Sequence, residues 1–129
     1  MYLFVLVLNR VELLEEILER LLRAGIPGAT IIDSTGMGRT LVQADHDAPV
    51  LAGLRSVFQY SRPENKTIFS VVKTKEKLEK ARAVVEELLG DSQPGTGISF
   101  TLQLFDVTGL PDEDSNEEMP SPLQKELSG

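Results

Sequence analysis

The order of the predicted secondary-structure elements constrains the fold of this chain more than any other feature. An apolar strand over residues 2–8 is followed by an amphipathic helix, a second strand over residues 29–35 and a long excursion over residues 40–66. A third strand (67–72), a second amphipathic helix and a fourth strand (98–104) then repeat the strand–helix–strand order. Two such units commonly interleave into one antiparallel sheet. The sequence therefore predicts an α+β, ferredoxin-like βαββαβ sandwich, with a four-stranded antiparallel sheet, two helices on one face and a long loop between strands 2 and 3.

Local signals place the ends of both helices. Asn9 is a preferred helix N-cap, and Glu12 three residues later completes a capping-box-like pair. Gly25 is expected to end the first helix as a C-terminal cap. Thr74 is expected to cap the second helix, and Gly90 to close it. These residues therefore predict where each helix begins and where it ends.

The first strand is apolar at every position from Tyr2 to Leu8, which indicates burial on both of its faces. The two helices of this fold cover only one face of the sheet, so the other face would expose a contiguous apolar patch that monomers rarely tolerate. Burying such a patch is worth about 25 cal/mol for each Å². The sequence therefore predicts an oligomer whose sheets face inward.

Composition narrows the classes of function. A net charge of −7 and a pI near 4.7 argue against nucleic-acid binding, which depends on an excess of Lys and Arg. The chain has no cysteine and no apolar run near the roughly 20 residues that span a bilayer, so we expect a cytoplasmic protein without membrane insertion. With 129 residues, one domain over 1–110 is expected, followed by a disordered acidic tail over 111–129.

Two short glycine segments stand at predicted strand ends. The first, 36–39, follows the second strand and carries Arg39, and the second, 95–97, precedes the fourth strand. Glycine lacks a Cβ, so its N–H can approach an anion closely and at φ angles that other residues avoid. Each segment has an ordinary interpretation as well, because most glycine pairs simply form turns. Ligand contact and a plain turn both remain open from the residues alone.

These segments carry a resemblance to a known family. The stretch Gly25-Ile26-Pro27-Gly28-Ala29-Thr30, with Gly36-Met37-Gly38-Arg39 after it, resembles the P-II nitrogen-regulatory signalling proteins at the same spacing, over roughly residues 1–110. The resemblance implies a cytoplasmic homotrimer that is not an enzyme. It implies adenine-nucleotide binding in clefts between subunits, with ATP, ADP and AMP as candidate effectors. The excursion 40–66 corresponds to the family's T-loop, which contacts a regulated partner such as a transporter or an enzyme.

Carried over residue by residue, the resemblance implies a set of residues that line the nucleotide cleft. These residues are Thr30, Gly36, Gly38, Arg39, Gly95 and Gly97. Arg39 would supply charge-assisted hydrogen bonds to phosphate, and the glycines would supply backbone N–H donors. No catalytic or metal-binding residue is expected, and no cofactor is assigned.

The chain also departs from the family pattern. Family lysines are replaced by Asn9 after the first strand and by Ile98 after the second glycine loop, and residues 91–94 read Asp-Ser-Gln-Pro. The family's two arginines after the fourth strand have no counterpart in 106–111, and Tyr60 is not placed like the family's modified tyrosine. One arginine compensates poorly for the roughly four negative charges of a triphosphate. The departures argue against high-affinity ATP binding and leave open weaker AMP or ADP binding, another anion, or no nucleotide at all.

Other interpretations remain open. An amino-acid-binding regulatory domain of the same fold would not need Arg39, and Asn9-Arg10 after the first strand weakly resembles an acylphosphatase-like site. The run Asp45-His46-Asp47 suggests a metal, although a turn capped by Asp47 explains it as well. The apolar stripe over residues 50–58 is expected either to fold back on the sheet or to form a partner-binding face of the loop.

Overall fold

The structure, a computed structural model, describes residues 1–43, 64–90 and 95–111. In these ranges the chain forms four strands and three α-helices, with a short 3-10 helix at Val11–Leu13 before the first of them. The elements in chain order are β1 (Tyr2–Leu8), α1 (Leu14–Arg23), β2 (Thr30–Ser34), α2 (Met37–Gln43), β3 (Asn65–Val72), α3 (Lys75–Leu89) and β4 (Gly97–Gln103).

The strands form one antiparallel sheet in the order β2-β3-β1-β4. This order and the two helices packed against the sheet confirm the predicted ferredoxin-like fold. The register sets Val5 of β1 opposite Phe69 of β3 and Phe100 of β4. Since successive side chains on a strand point to opposite faces, this register assigns every residue of the sheet to one face or the other.

The hydrophobic core lies between one face of the sheet and helices α1 and α3. Phe4, Leu6 and Leu8 of β1 point to this face and are fully buried. The other members of the core come from both helices, from β3 and from the segment after α1: Ile17, Leu21, Ile26, Ile68, Val72, Leu78, Ala81 and Leu89. The sheet face that carries this core is called the helix face below, and the opposite one the open face.

The end of α1 matches its sequence signal, but its beginning does not. Gly25 has a φ of 89°, its N–H donates to the carbonyl of Leu22, and the N–H of Ile26 donates to that of Leu21. This is a Schellman motif, and it confirms Gly25 as the C-terminal cap. The predicted Asn9 cap is wrong: the chain passes through the 3-10 helix first, and the side chain of Asn9 makes a distant contact instead.

Helix α3 begins as predicted, because the Thr74 hydroxyl accepts a hydrogen bond from the N–H of Lys77. The helix also ends at Gly90, although this glycine keeps a right-handed conformation. Helices α1 and α3 are joined by an ion pair in which Arg20 lies 2.7 Å from a carboxylate oxygen of Glu87. The hydrogen bond to Glu87 raises the pKa of Arg20.

The open face has no helix over it in the described residues. Within the single chain, Leu3 and Val7 are half-buried on this face, and Val5 between them is buried, with 8% of its surface exposed. Burial of the first strand on both faces of an assembly stays a prediction. The exposed fractions are 47% for Ile32, 64% for Ile98, 47% for Phe100 and 48% for Leu102. The register places all four on the open face. The apolar alternation of the fourth strand therefore belongs to a surface that residues 1–43, 64–90 and 95–111 leave uncovered.

The excursion is shorter at both ends than the sequence predicted. Residues 40–43 belong to α2, and β3 begins at Asn65 rather than at residue 67. The Asp45-His46-Asp47 run, the stripe over 50–58, Tyr60, residues 91–94 and the acidic tail from residue 112 lie outside the described residues. No helix in the described ranges is long and apolar enough to cross a membrane.

Candidate functional site

Both glycine segments lie at the same end of the sheet. Strands β1 and β2 end there, at Leu8 and Ser34, while β3 and β4 begin there, at Asn65 and Gly97. This end also carries both stems of the excursion between β2 and β3. It is called the loop end below, and five of the six predicted site residues lie at this end.

The first glycine segment is helical, not a turn. Met37–Gln43 form α2, and the carbonyl of Gly36 accepts hydrogen bonds from the Thr40 N–H at 3.1 Å and from its hydroxyl at 3.0 Å. Neither Gly36 nor Gly38 has a positive φ. The predicted turn is therefore wrong, and neither glycine adopts a conformation that other residues avoid. Arg39 is half-buried in this helix.

The second glycine segment does require its glycines. Gly95 has a φ of 86°, in the left-handed region that favours glycine. A Cβ on Gly97 would lie 3.0 Å from the carbonyl oxygen of Val7 and 3.3 Å from Cδ1 of Leu89, which is tighter than ordinary packing. The close approach of β4 to β1 and α3 thus accounts for the need for a glycine at position 97. This explanation holds whether or not a ligand binds there.

Thr30 lies apart from the other predicted site residues. It begins β2, is exposed, and shares the open face with Phe69, its partner on β3. At about 3.3 Å for each residue of a strand, Thr30 lies roughly 13 Å from Ser34 along β2. The structure therefore does not bring Thr30 together with Gly36 and Arg39, and only an elongated ligand lying along β2 would touch all three.

The two glycine segments lie on opposite edges of the sheet. Strand β2 is one edge and β4 is the other, with β3 and β1 between them. At roughly 4.8 Å between neighbouring strands, the two edges are about 14 Å apart. The strands that border the two segments are therefore farther apart than the width of one small anion.

The charges at the loop end are mostly paired. Lys66 forms an ion pair with Asp33 across β2 and β3, and the hydrogen bond to Asp33 raises the pKa of Lys66. The Arg10 guanidinium lies 3.1 Å from Glu12. Arg39 has no ion pair within the part of the chain that the structure describes. Among the described residues, Arg39 is therefore available to meet an anion at this end.

A polar cluster joins the two stems of the excursion on the open face. The hydroxyl of Ser34 donates to the side-chain oxygen of Asn65 and lies 2.7 Å from the hydroxyl of Thr67. Asn65 is buried, with 9% of its surface exposed. The cluster fixes the end of β2 against the start of β3. No local pattern reveals this cluster, because Ser34 is more than 30 positions from its two partners.

The same structure bears on the alternative interpretations. In the acylphosphatase-like interpretation, Asn9 and Arg10 would contact a phosphate. In the structure, the Asn9 side chain donates a hydrogen bond to the Gly95 carbonyl, and Arg10 forms an ion pair with Glu12. Among residues 1–43, 64–90 and 95–111, no group of three or more acidic or histidine side chains is placed to hold a metal ion. The Asp45-His46-Asp47 run is outside these ranges.

Comparison with known proteins identifies the family. A family model described as "Nitrogen regulatory protein P-II" matches residues 3–113, which is most of the chain. The chain belongs to the P-II family. The family resemblance seen in the glycine segments is thereby confirmed, and membership places the chain among regulatory signalling proteins and not among enzymes. Comparison with curated protein sequences finds no match.

A solved structure supports the fold of this P-II family chain. This chain is similar to the crystal structure of a PII-like signaling protein from Thermus thermophilus, with a TM-score of 0.50 and 18% sequence identity. The match covers 78% of this chain and 82% of the other. At that identity the likeness establishes the fold, and the roles of individual residues follow from the chain's own geometry.

Proposed function

We propose that this chain is a signalling protein that binds a small anionic effector in clefts between its copies. The observation that carries the proposal is the placement of the two glycine segments at the same end of the sheet but on opposite edges. In the proposed cleft, Arg39 comes from one copy and the Gly95–Gly97 segment from the next. Each cleft is then incomplete without a second copy.

The open face supports assembly into oligomers. Ile32, Ile98, Phe100 and Leu102 expose apolar surface on this face, which also carries the half-buried side chains of β1. Removing apolar surface from water stabilises an assembly by about 25 cal/mol for each Å² buried. We take the assembly to be the homotrimer that the P-II resemblance implies. Closure around a three-fold axis would place each β4 edge beside a β2 edge of a neighbour.

The excursion between β2 and β3 is the proposed output. Its first stem runs directly through α2, which contains Arg39, and its second stem begins β3. The cluster of Ser34, Asn65 and Thr67 ties the two stems together. An effector that contacts Arg39 can therefore bias the excursion between states, provided that it binds those states with different affinity. A regulated partner protein, a transporter or an enzyme, would contact the excursion.

The effector is proposed to carry few charges. Arg39 is unpaired within the described residues, whereas the other loop-end cations described above already have carboxylate partners. The single positive charge of Arg39 matches AMP, ADP or another small anion better than it matches a triphosphate, which carries about four negative charges near neutral pH. The effector's phosphate or carboxylate would meet Arg39, and its body would lie along β2 towards Thr30.

Calorimetry with ATP, ADP and AMP tests the binding step. Replacing Arg39 with Ala should weaken binding of the tightest nucleotide by about tenfold or more, since hydrogen bonds to charged groups contribute roughly 1.5–3 kcal/mol. The control is Arg82→Ala, which removes the same charge from the surface of α3, where Arg82 pairs with Glu79. Equal affinity of the wild type and Arg39→Ala would contradict the role given to Arg39. It would favour the amino-acid-binding alternative.

Limited proteolysis tests the output step. Saturating nucleotide should change the rate of cleavage inside residues 44–63 and leave cleavage elsewhere unaltered. The Arg39→Ala variant at the same nucleotide concentration should keep the cleavage pattern of the free protein. An unchanged pattern in the wild type, at a concentration that calorimetry shows to be saturating, would refute transmission through the excursion.

A further inference from the structure

The side chain of Asn9 holds the Gly95–Gly97 segment. Its amide nitrogen donates to the carbonyl oxygen of Gly95 at 2.7 Å, across 86 positions of sequence. The backbone N–H groups of Asn9 and Arg10 both donate to the carbonyl oxygen of Thr96, at 2.9 Å and 3.3 Å. Two successive carbonyl groups of the segment are therefore directed towards the end of β1.

This arrangement fixes where the N–H groups of the segment point. In a trans peptide unit the C=O and the N–H are directed to opposite sides, and the described residues contain no cis peptide bond. The carbonyls of Gly95 and Thr96 face β1, so the N–H groups of Thr96 and Gly97 face away from it. Beyond them lies the outer side of β4, which is an edge strand of the sheet.

The strand register leaves the Gly97 N–H without a partner on β1. Asn9 donates to Thr96, so Leu8 and Gly97 form a pair that does not exchange hydrogen bonds in the antiparallel ladder. Within the described residues the Thr96 N–H has no backbone partner either. Two neighbouring N–H groups that point the same way form a concave donor site of the kind that binds anions.

We infer that Asn9 is a positioning residue for anion binding at the Gly95–Gly97 segment. By holding the carbonyl of Gly95, its amide turns the N–H groups of Thr96 and Gly97 outward, where an anionic oxygen in the cleft can accept from both. The inference rests on the proposed function, because it names the donors that the β4 edge brings to that cleft. Asn9 itself touches the segment and not the anion.

The N–H groups of Thr96 and Gly97 determine which ligand groups this side of the cleft can bind. Two backbone N–H groups are neutral, so this side of the cleft binds through hydrogen bonds and adds no positive charge. Together with Arg39 of the neighbouring copy, the site suits one phosphate monoester or one carboxylate group. Asn9 thus supports anion binding without a cation at its own position.

The test is a titration with AMP, and separately with inorganic phosphate, followed by the backbone amide signals of Thr96 and Gly97 in NMR spectra of the full chain. We expect both amides to shift in the wild type. Asn9→Leu keeps the side-chain size but cannot donate, and it should weaken AMP binding by about tenfold, the factor that corresponds to about 1.4 kcal/mol. Gln103→Leu, at the other end of β4, is the control and should bind AMP as the wild type does. Asn9→Gln retains the amide and should recover most of the affinity.

The possible outcomes separate this inference from the proposed function. Unchanged AMP affinity in Asn9→Leu, or amides of Thr96 and Gly97 that do not shift in a wild type that binds AMP, would overturn the role of Asn9. Absence of any anion binding by the wild type would overturn it as well. Amide shifts that Asn9→Leu abolishes, in a protein that sediments as a single chain, would support Asn9 and refute the clefts between copies. Circular dichroism confirms that each variant is folded.

Discussion

The two faces of the sheet differ in what covers them, although the same strands build both. On the helix face, Leu6 and Leu8 lie under α1 and α3 and are fully buried. On the open face, Leu3 and Val7 of the same strand stay half-buried, Val5 is buried, and Phe100 beside Val5 has 47% of its surface exposed. The helix face is covered by the helices of the chain itself, whereas the open face carries apolar side chains that the described residues leave exposed. Folding uses one face, and assembly is expected to use the other.

The largest expected effect comes from a charge on the open face. Phe100→Asp places a carboxylate among apolar side chains that the assembly would bury, and an unpaired buried charge is strongly unfavourable. Analytical ultracentrifugation should show this variant at the mass of one chain, 14.2 kDa. The matched control is Thr101→Asp, which adds the same charge at the next residue, on the exposed edge of the helix face, and should keep the wild-type mass. Loss of assembly in both variants would contradict the assignment of faces.

A second comparison uses two leucines of β1. Leu6→Ala removes a fully buried core side chain and should lower the free energy of unfolding by about 2–5 kcal/mol. Leu3→Ala, on the open face, should lower it less at low protein concentration. Its effect should grow with concentration, because there the lost contact belongs to the assembly. Urea unfolding at two protein concentrations measures both variants. Concentration-independent loss for Leu3→Ala would contradict the distinction between the faces.

Two glycines at the loop end give a smaller difference. In Gly97→Ala, the new Cβ would lie 3.0 Å from the backbone carbonyl oxygen of Val7 and 3.3 Å from Cδ1 of Leu89, and we expect the free energy of unfolding to fall by about 1–3 kcal/mol. Gly36→Ala meets only the side chain of Asn65, at 3.8 Å, and should change stability by about 0.5 kcal/mol or less. Thermal unfolding of both variants checks this order. A larger loss for Gly36→Ala would mean that its segment is packed more tightly than the structure shows.

The smallest effect concerns the ion pair of Lys66 and Asp33, at the loop end of the helix face. The pKa of Lys66 is raised above its ordinary value of 10.5 in the folded chain. Its contribution to stability is therefore fully present below that value and is lost as the pH rises through the raised pKa. The stability difference between the wild type and Lys66→Met should be constant from about pH 7 to 9 and should shrink above pH 10.5. A difference that grows with pH would contradict this sign.

The sequence predicts those features of the molecule that depend on contacts between residues close together in the chain. Helical and strand periodicity identified the fold, and Gly25 and Thr74 marked helix ends because their capping contacts lie within a few residues. The alternation of apolar and polar residues along β4 is also evident from the sequence. The sequence could not show, however, that the apolar set of β4 faces away from the helices, since the register alone determines this.

Two errors at the site have physical causes. Asn9 is a preferred N-cap residue, but its amide is used by the Gly95 carbonyl, a partner 86 positions away that no local signal reveals. The stretch from Gly36 to Arg39 contains two glycines, which disfavour helices, so a turn was expected. In the folded chain, Thr40 bonds twice to the Gly36 carbonyl and the segment becomes the start of α2. Each error reflects a contact that overrides the intrinsic preference of the residue.

The open face is proposed as an interface between copies, so that the two glycine segments meet in clefts. Sedimentation equilibrium of the wild-type chain at micromolar concentration tests this claim most directly. We predict a single species of about three times the 14.2 kDa of one chain. A single species at 14.2 kDa across the accessible concentrations would contradict the claim, because Arg39 and the Gly95–Gly97 segment would then remain on opposite edges of one sheet.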